Sequence, residues 1–114
     1  MGTDGATIAV EVRHDAGSAI VTLGGELEFG TAGSVRSAFS DLVQQDCDRV
    51  VVDMAKVRFM DSSGLSLLVQ ARQRFTAEGR EFELRSPTER VIRVIETSGL
   101  GEFFAIDGDA LSTD

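Results

Sequence analysis

Apolar and polar positions alternate at the start of the chain. Ile8, Val10 and Val12 are each followed by a small or polar residue, "HDAGS" carries turn chemistry, and "AIVTL" resumes the apolar pattern beyond it. Two antiparallel strands joined as a hairpin are expected. After "GGELEFG" the period changes: Val35, Ala38, Phe39, Leu42 and Val43 recur at helical spacing, with Thr31 or Ser34 placed to cap the helix. "RVVVDM", Arg49 to Met54, loses alternation, as a strand does when both faces are covered, and is expected at the sheet centre. Leu67, Leu68, Ala71 and Phe75 then form the core stripe of a helix running from Leu65 to Phe75. "REFELR" alternates again through Phe82 and Leu84. Strand, helix, strand in that order implies a parallel crossover.

The sharpest local signals lie in "SPTERVIRVIETSGL". Ser86 reads as an N-cap, Pro87 as the first helical residue and Glu89 as the return half of a capping box. A helix is expected to begin within a residue or two of Pro87 and to end near Ser98. Gly99 would take the left-handed conformation there, and Leu100 would fold back on the helix. The fold class is therefore α/β, a single small domain with a mixed sheet of four to five strands opened by an antiparallel hairpin. Its core is expected at about residues 6–106, with no internal repeat and no proline-rich linker.

Composition narrows the chemistry. With 42% hydrophobic residues in 114, the chain can bury a genuine core. A formal net charge of −8 repels nucleic-acid phosphates and anionic lipid alike, so neither direct nucleic-acid binding nor membrane binding is expected, and proteins are the expected partners. Lys56 is the only lysine among 11 basic residues, which removes most lysine-based chemistry. Cys47 is the only cysteine and His14 the only histidine, too few for a disulfide or a structural zinc site, and no cofactor is implied. No apolar run approaches the length of about 18 residues that a membrane span needs, and nothing resembles a signal peptide, so a cytoplasmic protein is expected.

The stretch "RFMDSSGLSLLVQ", Arg58 to Gln70, places an acid and two hydroxyls in the turn between the crossover strand and its helix, at the sheet end where loops carry function in open α/β folds. One of Asp61, Ser62 and Ser63 suffices to cap the helix, and all three could be only capping and turn residues. A surplus serine hydroxyl in a first helical turn, however, can carry a phosphate near the positive end of the helix dipole. Leu65 and Val69 widen the apolar arc of this helix past Arg72. They imply either a partner surface or cover for the sheet edge.

Two enzymatic readings fare worse. A receiver-type phosphoacceptor at Asp53 lacks the second acidic pair and the lysine that such a site needs. A serine hydrolase at Ser62 or Ser63 lacks a nearby histidine, because His14 falls in the expected hairpin turn.

"FMDSSGL" before a helix, with "GGELEFGTA" upstream and "SPTERVIRVIETSGLGEFF" downstream, resembles the STAS-domain anti-sigma factor antagonists of bacteria, from about Ile8 to Ile106. The resemblance implies a mixed sheet with three to four helices packed mainly on one side. It also implies a non-enzymatic regulator whose Ser62 is phosphorylated by a partner that is both anti-sigma factor and serine kinase. The unphosphorylated form would bind that partner and free the sigma factor; phosphorylation would dissolve the complex, and a metal-dependent PP2C-type phosphatase would restore it. Glu28, Asp61, Ser62, Ser63, Gly64, Leu65, Val69 and Arg72 are the expected partner-binding residues. Modules of this type also serve as scaffold subunits of stress-signalling assemblies or as accessory subunits of lipid-transport ATPases, docking through the same loop without modification. Glu28 stands where many members have an aspartate, which bears on partner choice. The tail "DGDALSTD" leaves little room for a last helix, and its final six or so residues are expected to fray while Phe103, Phe104 and Ile106 dock.

Overall fold

The opening alternation builds one edge of a five-stranded sheet. The computed structural model describes residues 5–107. Strands β1 (Ile8–Asp15) and β2 (Ser18–Leu27) pair antiparallel, with Ile8 opposite Gly25 and Asp15 opposite Ser18, about a two-residue turn in which Ala16 has φ 50°. The chain continues through α1 (Ala32–Val43), β3 (Arg49–Met60), α2 (Ser62–Ala77), β4 (Glu81–Arg85), α3 (Glu89–Thr97) and β5 (Ala105–Asp107). Spatial order follows chain order, β1 to β5, and every pair after the hairpin is parallel. The carboxyl ends of β2 to β5 and the start of β1 therefore share one end of the sheet, and the hairpin turn lies at the other.

The mixed sheet, the hairpin and the crossovers are as the sequence implies. All three described helices pack on one face, where Val21, Leu23, Val50, Val52 and Met54 meet Phe39, Leu68, Phe75, Val91 and Ile95 in a single core. The expectation that β3 is covered by elements on both faces is corrected. Val51 is buried on the opposite face without a helix over it, in register with Ile20 and with Glu83, whose carboxylate pairs with Arg49. Long charged side chains there shield apolar surface with their stems. Phe39, Phe75 and Phe82 sit at the centre of the helix side with ring centroids 6.1 Å apart. Arg80 closes that layer by donating to the carbonyls of Leu42 and Val43 at 3.0 and 2.9 Å, satisfying the end of α1.

Strand β3 runs six residues past "RVVVDM"; register shifts against β2 between Thr22 and Gly24 and between Gly25 and Glu26 scramble the alternation that would have marked those residues as strand. Helix α3 begins two residues after Pro87 and ends at Thr97, within the expected limits. Its cap, however, is Thr88, whose hydroxyl accepts from the Val91 amide and donates to the Val57 carbonyl at 3.0 Å. Ser86 instead has φ 52° and gives its amide to the Asp107 carbonyl, prolonging the pairing of β4 with β5. The other end is as expected. Gly99 has φ 77°, its amide reaches the Glu96 carbonyl, and Leu100 donates to Ile95, closing a Schellman motif. Phe104 is buried and Phe103 and Ile106 pack on the core; the expected fraying of the tail lies outside the described residues.

At the serine end, Glu26 accepts from the Thr7 amide at 2.9 Å and pairs with Arg58. These two contacts, the amide first, hold its carboxyl below the ordinary range. A lowered folded-state pKa gives stability that is present above the unfolded value near 4.5 and is lost as pH falls through the folded value. The stability advantage of the wild type over Glu26→Gln should therefore shrink between pH 6 and pH 3. Urea titrations at a series of pH values check this, and an advantage that grows on acidification would refute it.

Candidate functional site

Two loops meet at the carboxyl ends of β2 and β3, and one carboxylate joins them. Asp61, extended at φ −109° and ψ −172°, is the N-cap of α2: its Oδ1 accepts from the Gly64 amide at 3.0 Å. Its Oδ2 accepts from the Phe29 amide at 3.2 Å, and its own amide donates to the Leu27 carbonyl at 3.2 Å. The β2–α1 loop is thus latched to the start of α2.

That loop is also held from within. Thr31, expected as a possible cap of α1, turns its hydroxyl back to accept from the Glu28 amide at 3.0 Å and to donate to the Glu26 carbonyl at 2.6 Å. Glu28 takes the Gly30 amide on its carboxylate, and its carbonyl accepts from the amides of Thr31 and Ala32. Each bond fixes a different backbone group, so the loop presents one shape.

With Asp61 serving as the cap, the serines are relieved of that task. Ser62 is exposed and Ser63 half-buried, and the cap's hydrogen bonds use neither hydroxyl. Both residues lie in the first turn of α2, where backbone amides have no intrahelical acceptor and the helix dipole is positive.

The structure divides the other residues expected at this site. Glu28 and Asp61 to Ser63 come together. Gly64 and Leu65 turn inward: Leu65 is 6% exposed and part of the core, so of the two readings of the wide apolar arc, partner surface or packing cover, burial favours packing at this position. A Cβ on Gly64 would lie 2.6 Å from the Leu27 carbonyl oxygen, so glycine is what lets α2 approach β2. Val69 is half-buried against the core. Arg72, about 15 Å along the helix axis from Ser62 at 1.5 Å per residue, holds its guanidinium 4.4 Å from the centre of the Phe103 ring. Asp53 lies within β3 and accepts from the Ala55 amide at 3.1 Å, while His14 stands beside the hairpin turn at the opposite end from the serines.

One residue escaped the sequence reading. Phe29 is 83% exposed at the tip of the latched loop. Its only signal was an aromatic side chain between Glu28 and Gly30, outside any strand or helix period. Phe59 is also exposed at this end, in register with Glu26, with the Arg90 guanidinium 5.9 Å from its ring. Among the described residues there is no group of three side chains able to hold a metal, and no helix is long and apolar enough to cross a membrane.

Comparison with known proteins gives a consistent picture. Residues 7–110 match the STAS domain family. The anti-sigma F factor antagonist of Paenibacillus polymyxa is 30% identical over 100 residues, covering 87% of this chain and 86% of its own length. A crystal structure of an anti-sigma factor antagonist from Mycobacterium paratuberculosis superposes with a TM-score of 0.81 at 24% identity, over 88% of this chain and 85% of that one. The Bacillus cell fate determinant SpoIIAA in its phosphorylated form superposes with a TM-score of 0.69 at 23% identity, over 86% and 90% of the two chains.

Proposed function

The chain belongs to the STAS domain family, and from that premise we propose that it acts as an anti-sigma factor antagonist controlled by phosphorylation of Ser62. Unphosphorylated, it binds an anti-sigma factor that is also a serine kinase, through the β2–α1 loop and the first turn of α2, and so releases the sigma factor. Phosphoryl transfer puts the γ-phosphoryl group of ATP on Ser62 Oγ, with loss of the hydroxyl proton and departure of ADP. A PP2C-type phosphatase returns the protein to its binding form.

The observation that carries this reading is the division of labour at the start of α2. Asp61 caps the helix, leaving an exposed Ser62 hydroxyl with no structural duty in the cap. A phosphate adds a charge of about −1.5 to −2 next to Asp61, on a surface that must lose water to bind a partner. The first-turn amides accept the charge, so α2 stays folded and the cost falls on the complex. The domain supplies the acceptor hydroxyl and the surface, and its partner supplies the catalytic machinery.

Incubation with a purified anti-sigma factor kinase and ATP should add one phosphoryl group by intact mass. Ser62→Ala should gain none, while Ser63→Ala is still modified. The phosphorylated protein should bind that kinase at least about tenfold more weakly, or 1.4 kcal/mol, and Ser62→Asp should show part of that loss because it carries about one charge and lacks the three phosphate oxygens. Phosphate mapped to another hydroxyl, or equal affinity of the two forms, would overturn the proposal.

A further inference from the structure

We infer that Phe29 is the principal anchor of the partner interface, entering an apolar pocket rimmed by basic side chains on the anti-sigma factor. The inference rests on the partner-binding reading above and identifies the chemistry of the surface that this chain would meet.

Three large apolar side chains are substantially exposed among the described residues: Val12 at 40%, Phe29 at 83% and Phe59 at 38%. Two of them stand at the sheet end that carries Ser62, and only Phe29 is almost wholly in water. Phe59 keeps the Arg90 guanidinium near its ring, whereas Phe29 packs on nothing comparable. An exposed aromatic on a mobile loop would mean little, because ordering the loop would consume much of the gain on binding. Phe29 is held instead by its own amide on Asp61 Oδ2 and by the Thr31 and Glu28 bonds on either side of it. An aromatic side chain on a pre-organised backbone is what energetically dominant interface residues generally are.

The surroundings fix the sign of the partner. Glu28 and Asp61 are the carboxylates flanking Phe29, Ser62 would bring more negative charge, and the chain carries a formal net charge of −8. A complementary surface offers Lys or Arg around an apolar hollow of the size of one phenyl ring. This arrangement also places the proposed phosphate on the rim of the most heavily desolvated contact, where added charge is most costly.

The test uses the full chain and a purified anti-sigma factor that binds it, titrated with ADP present so that no phosphoryl group moves. Phe29→Ala should weaken binding at least about 30-fold, corresponding to 2 kcal/mol at 1.4 per tenfold. Phe29→Leu should retain most of the affinity. Glu28→Gln should reduce mainly the association rate, and more at low salt than at high salt. Binding of Phe29→Ala within threefold of wild type overturns the anchor, and a Glu28→Gln association rate equal to or above that of wild type at low salt overturns the basic rim. The two proposals separate cleanly. Loss of affinity in Phe29→Ala in ADP, with no phosphoryl group gained by wild-type Ser62 in the separate ATP incubation, keeps the anchor and removes the switch; unchanged affinity of Phe29→Ala in ADP, with Ser62 phosphorylated in ATP and binding weakened by it, does the reverse.

Discussion

Gly64→Ala is expected to lower the unfolding free energy by about 2–3 kcal/mol, which in a domain of this size is a fall in Tm on the order of 10–15 °C. The new methyl group would sit 2.6 Å from the Leu27 carbonyl oxygen, 2.8 Å from Leu27 Cγ and 2.9 Å from Met60 Cγ. The carbonyl cannot retreat freely, since it accepts the Asp61 amide that joins the two loops. Replacing glycine inside a helix normally gains about 1 kcal/mol, so the sign of the result separates close approach from propensity. Ser66→Ala on the exposed side of the same helix is the control, with a change within about 0.5 kcal/mol. Denaturant unfolding of both variants decides the matter: a Gly64→Ala protein as stable as wild type would show that α2 can move away from β2 at no cost.

The second large effect is expected at Asp61, whose two carboxylate oxygens do different work. Asp61→Ala removes the cap and the latch together, at about 1–3 kcal/mol. Asp61→Asn retains one acceptor oxygen for the Gly64 amide but turns an NH2 group towards the Phe29 amide, where no hydrogen bond can form. It should keep most of the stability, because asparagine caps helices about as well as aspartate, yet free the loop. Affinity for the anti-sigma factor should then fall by more than stability does. In a Phe29→Ala background the Asn variant should lose little further, since there is no anchor left to position. Additive losses across that double-mutant cycle would mean that the latch serves something other than Phe29.

How far the sequence could reveal this arrangement depends on the range over which each signal acts. The hairpin, the core stripes of α1 and α2 and the closing motif at Gly99 are set by residues within a few positions of one another, and periodicity finds them. The last six residues of β3 were hidden because its register shifts against β2, a relation between distant segments. The cap of α3 was misplaced by two residues. Ser86 is drawn instead into the β4–β5 edge through the Asp107 carbonyl, leaving the cap to Thr88. Leu65 looked surplus on the helix alone, yet its neighbourhood is filled by strands that the helical projection does not contain. At the site, the carboxylate and hydroxyls were legible as a cluster. Their allocation was not: the bond from Gly64 that makes Asp61 the cap is local, but its second oxygen is committed to the Phe29 amide 32 residues away, which no local pattern reveals. Phe29 carried no periodic signal at all.

The matching order of strands in chain and sheet has a practical side. β1 starts opposite Gly25 and β5 ends opposite Arg85, so both described ends of the chain emerge on the same rim as Ser62 and Phe29. A label attached at Gly5 or Asp107 would crowd the surface it was meant to report on. A fluorophore placed in the Ala16–Gly17 turn, at the far end of the hairpin, would leave that rim clear and give the less perturbed measurement of binding.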